Sequence, residues 1–259
     1  MNDFHSHVVF GVDDGAKNEE MALNMIEMAV ASGTKKLIAT PHYVRGRFQV
    51  SRGEIRQEID KLRKLVKDKG IKIEIFAGQE VYYSESILQY YLEGEIGTIE
   101  DTRYMLVELP IKGFEAEQVI NSFYELQLKG VVIVLAHPER YEEFIKRPEL
   151  INRFVEEGFL FQLNTGSISG EFGKEVKKTA ELFLKHDIYS VIGSDAHRLR
   201  GRNTDMRPGA EELKRLKTGS VEDYKRNMDK ILSNEEIRCL GNRIDGIKGF
   251  KGIIKKLFN

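Results

Sequence analysis

Five of the six histidines in this chain, His5, His7, His42, His137 and His197, sit in short motifs within or just after apolar runs, and carboxylates occupy corresponding places. His5 and His7 form an H-S-H pair, followed by Asp13 and Asp14 in "DDG". His42 ends "TPH", Glu80 ends "GQE", Glu108 lies in "VEL", and His137 opens "HPER". Asp195 and His197 are again two apart in "SDAH". Imidazole and carboxylate together, with no thiolate, suit divalent cations such as Mn2+, Fe2+, Zn2+ or Mg2+. The set offers more ligands than one ion uses. Carboxylates bridge cations, and ions about 3.5–4 Å apart are the usual hydrolytic pair. The arithmetic therefore implies two or three ions per chain.

Each motif also has a plainer reading. H-x-H alone is a weak signal, Glu108 fits a charged strand end, and Asp195 fits a helix cap. His186 closes a helical pattern in "LKHDIY", where a cation favours the helix dipole, and it reads as structural. Position separates the other readings. Apolar, β-branched runs at 3–8, 36–40, 71–78, 103–109, 131–137, 159–164 and 188–195 predict seven strands. In the first, alternation puts His5 and His7 on one face and Phe4, Ser6 and Val8 on the other. The motifs then fall at carboxyl ends of the strands. Helical patterns separate the runs: one after Glu19 ending at Gly33, and one from 51 to 70 opening on a Ser51/Glu54 capping box. Others follow at about 115–129, 142–157 and 172–186, with several after 208.

Strand and helix in alternation imply parallel pairing through right-handed crossovers. Continuous rather than alternating apolar strands imply a sheet covered on both faces. An open doubly wound sheet and a closed barrel both satisfy this pattern. Ligands at the ends of six of the seven runs favour the barrel, whose strand ends meet at one mouth.

The totals agree with such a protein. The chain has 259 residues, 41% hydrophobic and 31% charged, enough for a large core. Its 40 basic and 41 acidic residues give no general attraction to nucleic acid. No apolar stretch is long enough to cross a bilayer and no signal peptide is read at the start, so a cytoplasmic protein is expected. The one cysteine, Cys239, excludes an internal disulfide. "CLGNRIDG" lacks the arginine that a cysteine-based phosphatase loop needs, so Cys239 reads as a buried small residue. No linker or repeat divides the chain, which predicts one domain over 1–259. The segment from about 247 is a basic and apolar tail, "KGFKGIIKKLFN" from Lys248 on; it reads as a membrane-surface or kinase-docking segment, or as a packed terminal helix.

H-S-H, D-D-G, T-P-H, G-Q-E, A-H-P-E-R and S-D-A-H in this order resemble the polymerase and histidinol phosphate phosphatase (PHP) superfamily. "HSHVVFGVDDG", "IATPHY", "GQEVYY", "ELQLKGVVIVLAHPERY" and "GSDAHRLRGRN" are similar to its manganese-dependent protein tyrosine phosphatases of capsule and exopolysaccharide loci, the CpsB/YwqE type. The resemblance covers nearly the whole chain. It implies a distorted (β/α)7 TIM-like barrel with a trinuclear site. His5, His7, Glu80 and Asp195 would hold one ion, Glu80 would bridge to a second held by Glu108 and His137, and Asp14, His42 and His197 would hold the third. Asp13 would orient or be structural. Glu108, where many superfamily members carry histidine, shifts the implied preference towards the harder Mn2+, with Fe, Zn or Mg as other occupants.

The implied reaction is hydrolysis of phosphotyrosine by metal-activated hydroxide attacking phosphorus in line. Arg140 and Arg202 would stabilise the phosphoryl oxygens, their planar forks suiting phosphate. Arg198, Arg200 and Arg207 lie nearby in sequence. Tyr43, Tyr82 and Tyr83 follow ligand motifs and read either as a phosphotyrosine slot or as packing. The implied partner is a membrane-associated bacterial tyrosine kinase, which would bring a cytoplasmic enzyme to the inner membrane surface. Two rival readings keep the metals: a small-molecule phosphomonoesterase such as a histidinol phosphatase, and a metal-binding regulatory protein without turnover.

Overall fold

A computed structural model describes residues 1–246 of the chain; the tail from 247 lies outside the described residues. Among them are nine strands in two parallel sheets. The first joins β1 (Asn2–Ser6), β2 (Lys36–Ala39) and β4 (Glu74–Ala77). The second runs β3 (His42–Tyr43), β5 (Glu80–Tyr82), β6 (Tyr104–Glu108), β7 (Val132–Ala136), β8 (Leu160–Asn164) and β9 (Val191–Gly193), in that order. Two of the seven expected runs, 36–40 and 71–78, form β2 and β4 and are each followed at once by a further short strand, β3 and β5. Pro41, which has no N–H to give to a ladder, separates β2 from β3. Between β4 and β5 the side chain of Gln79 leaves the sheet to accept the Gly97 N–H at 2.9 Å.

The second sheet curls back to the first. The Asp195 N–H donates to His5 O (2.7 Å) and the His7 N–H to Ala196 O (2.9 Å), joining the end of β9 to β1. On the far side β4 does not pair with β6. The segment Ile99–Asp101 lies between them, and the Glu100 carboxylate accepts the Ala77 N–H at 2.5 Å. This blocks the edge that β4 would otherwise offer. The result is a single α/β unit with a curled parallel sheet.

Three apolar clusters hold it. One, inside the curl, gathers Phe4, Ile38, Tyr104, Leu106, Val134, Ala136, Leu160 and Val191, with Met228 and Ile231 of α10 (Ser220–Leu232). A second packs α1 (Glu19–Ala31) and α2 (Arg52–Asp68) on the three-stranded sheet through Met25, Ile26, Ile59 and Leu62. The third packs the remaining helices on the six-stranded sheet. These are α3 (Ile87–Leu92), α4 (Ala116–Gln127), α5 (Glu142–Lys146), α6 (Ile151–Glu156), α7 (Thr165–Ser169), α8 (Lys174–Lys185) and α9 (Arg207–Leu216). Ser51 and Glu54 form the expected capping box of α2. The expected helix over 142–157 is two, because Pro148 begins a separate turn between α5 and α6. No helix of the described residues is long and apolar enough to cross a membrane.

One irregularity bears on the site. The pairing of β1 with β2 shifts by one residue between Asp3 and Ser6. The extra residue lets Phe4 join the apolar cluster inside the curl while His5, next in sequence, reaches the polar cluster at its mouth. Strict alternation from Phe4 to His5 is therefore broken, although His5 and His7 do share a side.

Candidate metal centre

All nine expected ligands come together at the carboxyl ends of the strands. Glu80 is the hub. Its Oε2 lies 3.1 Å from His5 Nε2, 3.2 Å from His7 Nε2 and 3.1 Å from His42 Nδ1. Its Oε1 lies 3.2 Å from His137 Nε2, which is also 3.5 Å from Glu108 Oε1. Asp195 Oδ1 is 3.7 and 3.5 Å from the Nε2 atoms of His5 and His7. Asp14 Oδ1 is 3.6 Å from His42 Nε2 and 3.5 Å from His197 Nε2.

Three sets have donor atoms within 4.8 Å of one another: His5, His7, Glu80 and Asp195; His42, Glu80 and Glu108; and His7, His42 and His197. The first is the set the sequence motifs imply for one ion. His42 stands with Glu80 and Glu108, beside His137, and His7 stands with the pair His42 and His197, beside Asp14.

The backbone turns sharply to aim these groups. His137 (φ 30°) and Asp195 (φ 51°) adopt the left-handed conformation at the ends of β7 and β9, which costs about 1–2 kcal/mol per non-glycine residue. Hydrogen bonds hold both: the His137 N–H donates to Gln162 Oε1 (3.2 Å) and the Asp195 N–H to His5 O. The loop after β1 folds back on His7, its Ala16 N–H donating to His7 O at 3.0 Å. A Cβ at Gly15 would lie 2.2 Å from that same oxygen, so only glycine allows the approach.

The tautomers follow from the outer hydrogen bonds. Gln162 Oε1 already accepts the His137 N–H, so His5 Nδ1, 3.0 Å away, must donate to it. His7 Nδ1 donates to Asp13 Oδ2 at 2.7 Å, and His197 Nδ1 to Asp195 O at 3.0 Å. Neutral imidazole protonated at Nδ1 presents a lone pair at Nε2. The Nε2 atoms of His5 and His7 then face each other at 3.1 Å, with Glu80 Oε2 and Asp195 Oδ1 beside them. Four acceptors converge on one point, and Glu80 Oε2 has no hydrogen-bond donor. A cation satisfies all four, so the residues fit the divalent ions implied by their chemistry.

The electrostatics show the same crowding. Glu80 and Asp195 are held well below the usual carboxylate range against the opposing effect of burial, chiefly by positive charge placed between them, which resides on His5 when a proton rather than a cation is shared by these acceptors. Glu108 is pushed well up, first by burial and then by the charges of Glu80 and Asp195. Burial lowers His42 and His137 to about 4.

Two arginines straddle Asp195. Arg140 Nη1 donates to its Oδ2 at 2.6 Å, and Arg202 Nη2 to its Oδ1 at 2.7 Å. Arg202 Nε is buried and has no partner among the described residues. Arg207 is committed to Asp205, and the Arg198 and Arg200 side chains are exposed. Tyr43 and Tyr83 face the apolar core, where Tyr83 packs edge-on to Phe123. Tyr82, on the same side of β5 as Glu80, stands opposite Glu108 in register. His186 caps the end of α8, and Cys239 is half-buried with its thiol on Ile188 O at 3.3 Å.

Sequence reasoning missed Gln162 and Asn164. Asn164 Nδ2 donates to Asp195 Oδ2 at 3.0 Å, and its Oδ1 caps α7 through the Gly166 N–H. Their signal was present: two amides, two apart, in the otherwise apolar "FLFQLN". Behind them lies Glu139, wholly buried, accepting the Asn164 N–H and the Tyr189 O–H at 3.0 Å each. Burial raises its pKa from 4.5 to about 7 despite those bonds. Between these values the folded state holds more protons than the unfolded one, so this carboxyl's contribution to stability falls as pH rises from 4.5 to 7 and is level above. Glu139→Gln is expected to remove that slope, gaining about 3 kcal/mol on wild type between pH 4.5 and 8. Urea unfolding of both proteins across that range checks it; parallel curves would refute it.

Comparison with known proteins comes to the same group. The family model described as "Capsular polysaccharide synthesis, CpsB/CapC" matches residues 1–240. Tyrosine-protein phosphatase YwqE of Bacillus subtilis is 34% identical over 205 residues, covering 78% of this chain and 80% of that protein. Tyrosine-protein phosphatase CpsB of Streptococcus pneumoniae is 30% identical over 207 residues, covering 78% and 85%. A crystal structure from work on YwqE and CpsB, described as unique metal-dependent tyrosine phosphatases, superposes with a TM-score of 0.89. It is 29% identical and covers 95% of this chain and 100% of that one. A histidinol phosphate phosphatase from Lactococcus lactis, at 16% identity and a TM-score of 0.50 over 83% and 93%, shares the fold alone.

Proposed function

The chain belongs to the capsular polysaccharide synthesis family CpsB/CapC, and from that membership we propose that it is a metal-dependent protein-tyrosine phosphatase. The observation that carries this reading is the convergence of imidazole and carboxylate acceptors on Glu80, with two guanidinium groups beside them on Asp195. The two sheets are read as one distorted (β/α)7 barrel whose divided strands count once each. His5, His7, Glu80 and Asp195 hold one ion, Glu80, Glu108 and His137 a second, and Asp14, His42 and His197 a third, with Mn2+ the expected metal.

Bound cations of this kind supply Lewis acidity that makes water nucleophilic at neutral pH. The rest falls to the chain. Asp13 and Gln162 fix the rings of His7 and His5, so that their lone pairs need no reorganisation. Arg140 and Arg202 keep guanidinium N–H groups at the mouth, where charge develops on phosphoryl oxygens in the transition state. A phenolate leaves as the base of an acid of pKa about 10, which needs less help than an alkoxide.

The substrate is a phosphotyrosine protein, and the partner a membrane-associated bacterial tyrosine kinase of capsule or exopolysaccharide synthesis, met from the cytoplasm. The test compares kcat/KM on a phosphotyrosine peptide and on histidinol phosphate with Mn2+ present, then repeats it after EDTA. Phosphotyrosine is expected to be the better substrate and chelation to abolish its hydrolysis. Preference for histidinol phosphate would transfer the assignment to small phosphomonoesters, and tight metal binding without phosphate release from either would make the protein non-catalytic.

A further inference from the structure

Most aromatic side chains of the described residues join one of the three apolar clusters. Phe48, Tyr82, Phe172 and the exposed Tyr124 do not. The first three are partly exposed and stand at the mouth of the polar site. Tyr82 faces Glu108 across the β5–β6 pair. Phe172 lies under Arg140, whose guanidinium carbon is 4.7 Å from the ring centre. Phe48 lies nearly parallel to the His42 ring, 10° between planes and 6.0 Å between centres.

Phe48 is held there by construction. A tight turn runs from Val44 to Phe48, closed by the Val44 N–H on Phe48 O (2.7 Å) and the Phe48 N–H on Val44 O (2.9 Å). Gly46 takes the left-handed position (φ 81°) and donates to Gln49 Oε1 at 2.9 Å. The Arg47 guanidinium carbon sits 4.6 Å from the Phe48 ring centre, a cation–π brace. The turn thus presents a rigid ring beside the most exposed of the site's histidines. Phe48 follows β3 and Phe172 follows β8, and these strands lie on opposite sides of the curled sheet.

A phenylalanine left partly wet forgoes some of the gain of burial, and a second ring placed against it recovers part of that. We propose that Phe48, braced by Arg47, is the wall against which the substrate's aromatic ring rests, and that with Phe172 opposite it sets a preference for aryl over alkyl phosphate esters. The inference rests on the phosphatase reading above and names what reads the tyrosine ring. The flat, offset contact of two rings is geometrically specific, which an alkyl ester cannot reproduce.

The experiment measures kcat/KM for one peptide carrying either phosphotyrosine or phosphoserine, with Mn2+-loaded wild type, Phe48→Ala and Phe48→Trp. The ratio of the two values is the readout. It is expected to be high in wild type, to fall about tenfold in Phe48→Ala through KM for the phosphotyrosine peptide, and to be kept in Phe48→Trp. Equal losses on both peptides, or an unchanged ratio in Phe48→Ala, would overturn the role of Phe48 while leaving the phosphatase reading intact. A wild-type ratio near one would instead remove the phosphotyrosine reading itself.

Discussion

Glu80→Gln is expected to lower phosphotyrosine hydrolysis by about a thousandfold or more. No other carboxylate of the site meets so many imidazoles: its two oxygens meet His5, His7, His42 and His137, at 3.1–3.2 Å in each case. Glutamine keeps the volume but supplies one acceptor instead of two, and turns an NH2 group toward imidazole lone pairs. On the proposed ligand assignment Glu80 is shared by two cation sites, so loss of its charge would weaken both. Several kcal/mol of transition-state stabilisation depend on such ions, and about 4 kcal/mol is a factor of a thousand in rate. Metal content measured by mass spectrometry should fall with activity while far-UV circular dichroism stays that of the wild type. A fully active, metal-replete variant would remove Glu80 from the centre of the site.

Arg140→Ala should cost about a hundred- to a thousandfold in kcat/KM with metal content unchanged. The guanidinium performs two tasks that a plane and a fork allow together. One nitrogen donates to Asp195 Oδ2 at 2.6 Å while the face rests on Phe172, leaving other N–H groups for the phosphoryl oxygens. Lysine is a point charge without that plane, so Arg140→Lys is expected to restore little. Full activity in the lysine variant would show that only charge is required. Metal loss in parallel with activity would show that Arg140 acts by holding Asp195 as a ligand.

Much of the architecture was legible before folding. The seven extended runs appear where the apolar, β-branched residues recur, and the Ser51/Glu54 box begins α2 where its spacing requires. The divisions were harder to read. The expected runs stop at 40 and 78, and the strands that follow them, His42–Tyr43 and Glu80–Tyr82, are too short for a residue pattern to mark. The blocked edge of β4 depends on Glu100, a distant carboxylate that a propensity argument reads as solvated. The choice between slot and packing left open for the tyrosines also needed the fold. Tyr43 lies one residue after His42 and Tyr83 three after Glu80, odd steps along a chain whose side chains alternate, and both enter the apolar core.

By itself the sequence determined the donor chemistry and its place at the strand ends, because residue types and the two-residue period of a strand are local properties. Tertiary structure decided which oxygen meets which nitrogen. It also decided which tautomer each histidine takes, and that Gln162 and Asn164 support the site. These choices are made by contacts across long stretches of chain, such as Asp3 with Ser194, 191 residues apart. They are enforced by left-handed turns at His137 and Asp195, which no residue type announces, since only the hydrogen bonds of the assembled mouth make that strained backbone the favoured one.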